Sequence, residues 1–355
     1  MTKQVYIDLH ILQTVPSSNI NRDDTGAPKT AMYGGVMRLR VSSQSWKRVV
    51  RQVFKADNIN IGTRTKKVAT LLKEALKERD SALDDEMAMS KAKAVLEMAK
   101  IKFKDDETKA LLLVSRGQIN KLAQYVIDNE EPDKAEVKKL LKGDQSLDLA
   151  LFGRMVADNP ELNVDASAQV AHAISTHEVV PEYDYFTALD EKQGDEESGA
   201  AMLGTIDFNS ATLYRYANVN MRELVENLDT EDAIHGAIDF IKDFVLSMPT
   251  GKQNTFANKT LPSYVMVTIR TDTPVNLVSA FENPVVSDNG YMTPSIKRLE
   301  AEYKATLGLV DQPLLNVIVS KTDAQVGDQM ANLTELLEKV SATLSEVVQD
   351  ENTNN

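Results

Sequence analysis

Residues 36–56 read VMRLRVSSQSWKRVVRQVFKA. The first six, 36–41, carry the β-branched and aliphatic residues of a strand, with Arg38 and Arg40 projecting to one side. Ser42 and Ser43 then stand where a helix N-cap is needed. From there Trp46, Val49, Val50, Val53 and Phe54 fall at i, i+3, i+4, i+7 and i+8, the apolar stripe of an amphipathic helix. Lys47, Arg51 and Lys55 repeat every four residues on a second face, with Arg48 beside them. A strand running into a cationic helix through two serines and Gln44 offers what a polyanion backbone requires. It supplies several positive charges, and hydroxyl and N–H donors at the positive end of a helix.

The charge of the whole chain argues the other way until it is divided. The 355 residues carry a net charge of −13, yet residues 1–67 hold 12 Lys/Arg against 4 Asp/Glu. Within 29–67 there are ten basic residues and one acid, Asp57. Such asymmetry points to a local anion-binding surface on an acidic body that discourages non-specific contacts. There is no cysteine, which excludes a disulfide framework, a thiolate metal site and a cysteine nucleophile. The N-terminal residues are too polar for a signal peptide, and no apolar run is long enough to span a bilayer. A cytoplasmic protein without membrane contact is expected.

Outward from the helix, residues 5–11 alternate and predict a half-buried strand that ends near Leu12. Residues 15–35 form a long polar loop, of the length that is usually functional. Helices are expected at 64–79, 84–103, 107–129, 133–142 and 146–152, and again at 166–176, 221–228 and 230–247. Strands are expected at 206–220, 263–270 and 314–320. Strands at both ends and helices between them predict one α+β domain interrupted by a helical lobe. Residues 182–197 hold seven acids and one lysine, which suggests a hairpin arm with a mobile tip. Val326, Met330, Leu333, Leu337, Val340, Leu344 and Val347 form a heptad seam, for a terminal helix docked on its own core or on a partner.

Catalytic constellations are incomplete. Asp23-Asp24 is a carboxylate pair that lacks further metal ligands nearby, so a turn role is expected. His172 and His177, five apart, do not share a helix face as a metal pair must. Gly34-Gly35 has the spacing of neither phosphate-binding glycine motif. No metal, no cofactor and no catalytic residue is expected.

The run Asn21-Arg22-Asp23-Asp24, Lys29, Tyr33-Gly34-Gly35, Arg38, Arg40 and Ser42-Ser43-Gln44-Ser45-Trp46-Lys47-Arg48 resembles the CasC family. That family is the backbone subunit of the type I-E CRISPR Cascade complex. Further matches follow in order: Phe152-Gly153-Arg154-Met155, Ala171-His172-Ala173-Ile174, Asp184-Tyr185-Phe186-Thr187-Ala188, Leu203-Gly204-Thr205 and Tyr214-Arg215-Tyr216-Ala217-Asn218. The match covers about residues 1–260.

The resemblance implies an RRM-like (ferredoxin-like) palm over 1–56 and 166–355, helical fingers over 57–165 and a β-hairpin thumb over 179–209. It implies copies stacked head to tail along a crRNA spacer, other Cascade subunits as partners, and target DNA met through the crRNA. Each thumb would kink the RNA and displace a base. By this carry-over Arg22, Lys29, Ser42, Gln44, Lys47, Arg48 and Arg51 hold the RNA backbone, with Arg38 and Arg40 on the strand leading in. Met155 wedges at the kink, and Phe186, Thr187 and Leu203 lie over the displaced base. Lys252, Gln253 and Thr255 are further RNA contacts. Met37 departs from the pattern, standing where a basic residue is expected, and the acidic stretch 190–202 follows none. The rival is an endoribonuclease backbone of the type III kind that cuts with Asp23 or Asp24. A third reading is a scaffold that binds no RNA.

Overall fold

In the computed structural model, which describes residues 4–156, 159–188 and 202–349, the first strand outruns its alternating pattern. β1 (Tyr6–Ser18) continues past Leu12 because it is central and covered on both faces. Leu12 turns its side chain to the second face, into a cluster with Tyr214, Tyr264 and Met266. The half-buried strand expected at 5–11 is therefore corrected: Asp8 and His10, on the face read as solvated, are buried.

The palette of elements follows in chain order. β2 (Thr30–Tyr33), β3 (Val36–Val41) and α1 (Ser43–Ala56) precede the lobe. The lobe holds β4 (Thr63–Thr65), α2 (Val68–Arg79), α3 (Asp85–Met98), β5 (Phe103–Lys104), β6 (Glu107–Thr108), β7 (Leu112–Val114), α4 (Arg116–Asp128), α5 (Lys134–Leu140) and α6 (Leu147–Phe152). Then come β8 (Ala168–Val170), β9 (Ala173–Ser175), β10 (Glu182–Ala188), β11 (Met202–Asn220), α7 (Met221–Asn227), α8 (Thr230–Leu246) and α9 (Gln253–Phe256). β12 (Tyr264–Arg270), α10 (Met292–Thr306), β13 (Leu315–Ser320), β14 (Asp328–Gln329) and α11 (Leu333–Gln349) complete it.

Ten strands form one sheet in the order β14-β13-β12-β1-β11-β9-β3-β2, with β8 and β10 also paired to β11. One face packs under α1, α8 and α11, where Ile7, Leu9, Trp46, Phe244, Leu336 and Val340 share a core. The other lies under α10 and a short 3-10 helix, Leu277–Phe281. The fold class is α+β, as expected. α11 docks on α8 and β13, so its apolar face is an internal one, carried by Leu336, Val340 and Leu344. Val326, read as part of that seam, lies before the helix in the cluster on the opposite face. Of the acidic stretch 190–202, all but Met202, the first residue of β11, lies outside the described residues.

The lobe has its own core, from Val68 to Leu162. The helix expected over 107–129 starts late: Ser115 caps α4 in a reciprocal box with Gln118. Residues 103–108 instead form a hairpin turning at Asp105, which adopts φ 57°, and β7 pairs with β4. Residues 166–176 are also strands, not a helix, because β11 and β3 offer them ladder partners that outweigh local propensity. α10 was not foreseen, although Ile296, Leu299 and Tyr303 mark its buried side at helical spacing.

Candidate nucleic-acid interface

Three parts of α1 face three ways. Trp46, Val50 and Phe54 enter the core. There Arg215 lies over the Trp46 ring at 3.9 Å and donates to Gln13 and to the Phe244 carbonyl. A desolvated cation on an indole is worth about 2 kcal/mol. Burial pushes the Arg215 pKa down to about 9.

The second face carries Lys47 and Arg51 towards α6. Arg51 Nε donates to Asp148 at 2.6 Å and its Nη2 to the Gly62 carbonyl, while Asp148 also accepts from Gly62 N–H and the Ser146 hydroxyl. Arg51 therefore ties α1 to the base of the lobe, with about a fifth of its side chain still exposed. Lys47 sits above the Phe152 ring at 5.4 Å, and burial lowers its pKa.

The third face, Ser45, Arg48 and Gln52, opens into a cleft of about 460 Å³. Its other walls are Asn21, Arg22 and Asp23 from the loop after β1, and Pro249–Lys252 after α8. Arg22, Arg48 and Lys252 so converge from three separate segments. Gly251 permits the approach, since a Cβ there would stand 2.4 Å from the Ile20 carbonyl oxygen. Lys252 itself is held at φ 51°. The loop is shaped by Asp23, which accepts from Thr25 N–H, the Thr25 hydroxyl and Ala27 N–H. These bonds, the Thr25 hydroxyl first, hold its carboxyl below the usual range. Ser45, Gln52 and Gly251 escaped the sequence reading, although the spacing 45, 48, 52 marks one helix face.

Arg38 is not on the surface. It is fully buried and donates to the carbonyls of Tyr33, Ser175, Phe281 and Glu282, so its expected polyanion contact is corrected to a framework role. Arg40, half-buried, donates to the Thr30 carbonyl and meets His172 Nδ1 at 3.0 Å, beside half-buried Lys29. Ser42 is the positional N-cap, but its hydroxyl makes no cap bond; its N–H donates to Asn21 Oδ1. Gln44, Gln253 and Thr255 are exposed. Gly34 and Gly35, both at positive φ, form the two-residue turn between β2 and β3. Met37 faces Met32 across that hairpin, and both are exposed. His177 stacks on Tyr291 at 3.6 Å and accepts from Thr212 N–H. Among the described residues no cluster of three His, Asp or Glu could hold a metal ion, and no helix is long and apolar enough to cross a membrane.

Met155 is 84% exposed. The segment presenting it is rigid: Gly153 turns at φ 71° against the Val164 carbonyl, and Arg154 donates to the carbonyls of Leu113, Leu141 and Leu162. On the arm formed by β10 and β11, Thr187 pairs with Leu203, both exposed, while Phe186 lies across Gly204.

This architecture, a two-faced sheet, antiparallel except for its edge pair β13/β14, with a helical lobe and the β10–β11 arm, is shared with solved chains of RNA-guided complexes. A chain of a "CRISPR RNA-guided surveillance complex, pre-nicking" superposes with a TM-score of 0.84 at 32% identity, over 96% of this chain and 100% of that one. Another, from a "CRISPR RNA-guided surveillance complex", gives 0.73 at 28% identity, over 95% and 99%. No curated protein sequence matches. The chain belongs to the CT1975-like family, whose model matches residues 7–350. The CasC resemblance is thus carried by the whole fold as well as by the motifs.

Proposed function

We propose that this chain is a non-catalytic, multi-copy backbone subunit of a type I-E CRISPR Cascade complex, holding crRNA for pairing with invading DNA. The sheet with its α1/α8 layer acts as an RRM-like palm, the lobe as fingers and the β10–β11 arm as a thumb. Arg22, Arg48 and Lys252 grip the RNA backbone, with Lys29, Arg40, Ser42, Gln44, Lys47, Gln253 and Thr255 along the same path. Because contacts of this kind go to phosphates, the hold is independent of sequence, and pairing reads the target. Met155 wedges into the strand, while Phe186, Thr187 and Leu203 cover the displaced base. The complex works in the cytoplasm, with copies stacked head to tail and with other subunits at the ends.

The single observation that carries this reading is the convergence of three cations on one cleft in a chain of this family. The commitment of Asp23 to its own loop supports leaving cleavage to another protein. The test is co-expression with the neighbouring subunits and a repeat–spacer transcript, followed by purification. RNA in a fixed ratio to protein is expected. RNA-free monomers, or metal-dependent cutting of paired RNA that Asp23→Ala and Asp24→Ala abolish, would overturn it.

A further inference from the structure

We infer that Asp8 is a proton-operated latch: protonated, it holds the segment Asp272–Phe281 shut over the second face of the sheet; ionised, it frees that segment and the β2–β3 hairpin braced on it. The inference begins with a count of charges. Two carboxylates, Asp8 and Asp272, surround one guanidinium, that of Arg270 on β12. Arg270 is taken by Asp272, whose two carboxylate oxygens each accept from it at 3.0 Å, and by the carbonyls of Thr273 and Asp311. Asp8 lies on the central strand β1, fully buried, and has no ion pair among the described residues. It accepts from the Tyr216 hydroxyl at 2.7 Å and from Val275 N–H at 3.1 Å. Two neutral donors do not balance a buried negative charge, so the carboxyl either keeps its proton or gains access to water.

What stands between Asp8 and water is the irregular segment after β12, and it is held at two ends. At the near end Asp8 takes Val275 N–H, while the Tyr214 hydroxyl takes Leu277 N–H and donates to Asn276 Oδ1. At the far end Tyr33 donates to the Val278 carbonyl, and Arg38 to those of Phe281 and Glu282. Tyr33 and Arg38 belong to the β2–β3 hairpin, so release at Asp8 withdraws a brace from it. Burial pushes the Asp8 carboxyl up to about 7, against its two hydrogen bonds and Arg270, with Asp272 adding to the rise. Burial also works to raise Asp272, but Arg270 and the N–H groups of Thr273 and Asp311 bring it down to about 2, so it stays charged. Burial lowers His10 to about 3; its Nδ1 meets the Tyr214 hydroxyl at 2.9 Å beneath the Tyr214 and Tyr216 rings, so it stays neutral and covered when the segment moves. Burial raises Tyr214, Tyr216 and, on α10, Tyr303, which stay neutral too. Asp8 is thus the group on this face that titrates near neutrality. Its raised value belongs to the closed form, so closure is favoured in full below about 4 and loses that support as pH rises through about 7.

The test is hydrogen exchange of the full-length chain between pH 5.5 and 8.5, read by mass spectrometry on peptides spanning 273–281 and 30–41 and corrected for the intrinsic exchange rate. Opening of both should rise about tenfold per pH unit up to about pH 7 and level off above it. Asp8→Asn, which cannot ionise, should make both profiles flat. Asp272→Asn, at a partly exposed position, leaves the Arg270 charge to face Asp8 and should bring the levelling about one pH unit lower. That second variant decides the matter if Asp8→Asn does not fold. A flat profile in the native chain, a rise that survives in Asp8→Asn, or a levelling that Asp272→Asn does not move would overturn the latch. So would a hairpin peptide that stays flat while the segment opens.

Discussion

Arg48 and Arg51 stand three residues apart on α1, and the structure assigns them opposite consequences on truncation. Arg51→Ala leaves Asp148, fully buried, without its cation. Removing one partner of a buried pair costs about 3–5 kcal/mol. Gly62 N–H and the Ser146 hydroxyl still serve Asp148, and Arg51 keeps about a fifth of its side chain exposed, so the lower end, about 3 kcal/mol, applies. With an unfolding entropy of about 2.1 cal/mol/K per residue over 355 residues, that lowers the melting temperature by about 4 °C.

Arg48→Ala removes no internal hydrogen bond or ion pair and should leave melting unmoved. Its effect falls on binding. Each phosphate contact to a single strand contributes about 0.7 to the slope of log affinity against log salt. Losing one contact flattens the affinity drop between 50 and 200 mM salt by roughly 2.6-fold per copy. The assay is retention of guide RNA by the reconstituted assembly across a salt series, with thermal melts of the same preparations. Should Arg51→Ala flatten the salt dependence as Arg48→Ala does while its melting stays put, the division of the helix into a lobe-facing and a cleft-facing side is wrong.

Met155→Ala should change melting stability by less than about 0.5 kcal/mol, against 2–5 kcal/mol for a core methionine, as a denaturant titration would read. Gly34→Ala should cost on the order of 3 kcal/mol, because φ is +60° and the Cβ would land on the Glu282 carbonyl; Gly35→Asn, with open space at φ +80°, should be nearly neutral. Burial raises the Asp8 pKa to about 7, so Asp8 holds a proton in the folded state that the unfolded chain has lost, and its contribution to stability falls as pH rises from about 4 to 7. Burial lowers the His10 pKa to about 3, so its contribution rises over about 3 to 6.5. The two slopes offset one another in the native chain; Asp8→Asn should unmask the His10 slope, at most about 1.4 kcal/mol per pH unit, in melts between pH 4 and 6.5.

Periodicity made α1 legible from a single window, because it buries one regular face. It failed where a residue's surroundings come from far along the chain. Asp8 and His10 read as a solvated face, but the segment around Val275–Phe281 covers it and supplies the Val275 N–H to Asp8. The short strands β8 and β9 read as helix because their ladder partners lie over 30 residues away. The basic row Lys47, Arg51, Lys55 drew attention as a binding face since nothing in the sequence announces that Asp148 will meet Arg51. The cleft face, Ser45–Arg48–Gln52, carries one charge and so gave a fainter signal than the row beside it.

Several of the motif residues that made the family resemblance specific do not face solvent. Arg38, Arg154 and Arg215 are each buried and each donate to carbonyls or side chains of segments distant in sequence. Burial lowers the pKa of all three, to about 10 for Arg154, yet each guanidinium stays charged at neutral pH. Truncating such a group strands several buried acceptors at once, each costing about 1–3 kcal/mol. Their identity is therefore tightly constrained by the fold. An exposed contact is constrained differently: a wedge or a phosphate grip asks for reach and charge, which several side chains supply. Thus Gly153 and Arg154 specify the rigid turn, and Met155 merely occupies its tip. What ordered motifs transmit is the frame that aims the exposed side chains. Arg48, for one, is aimed into a cleft with Arg22 and Lys252.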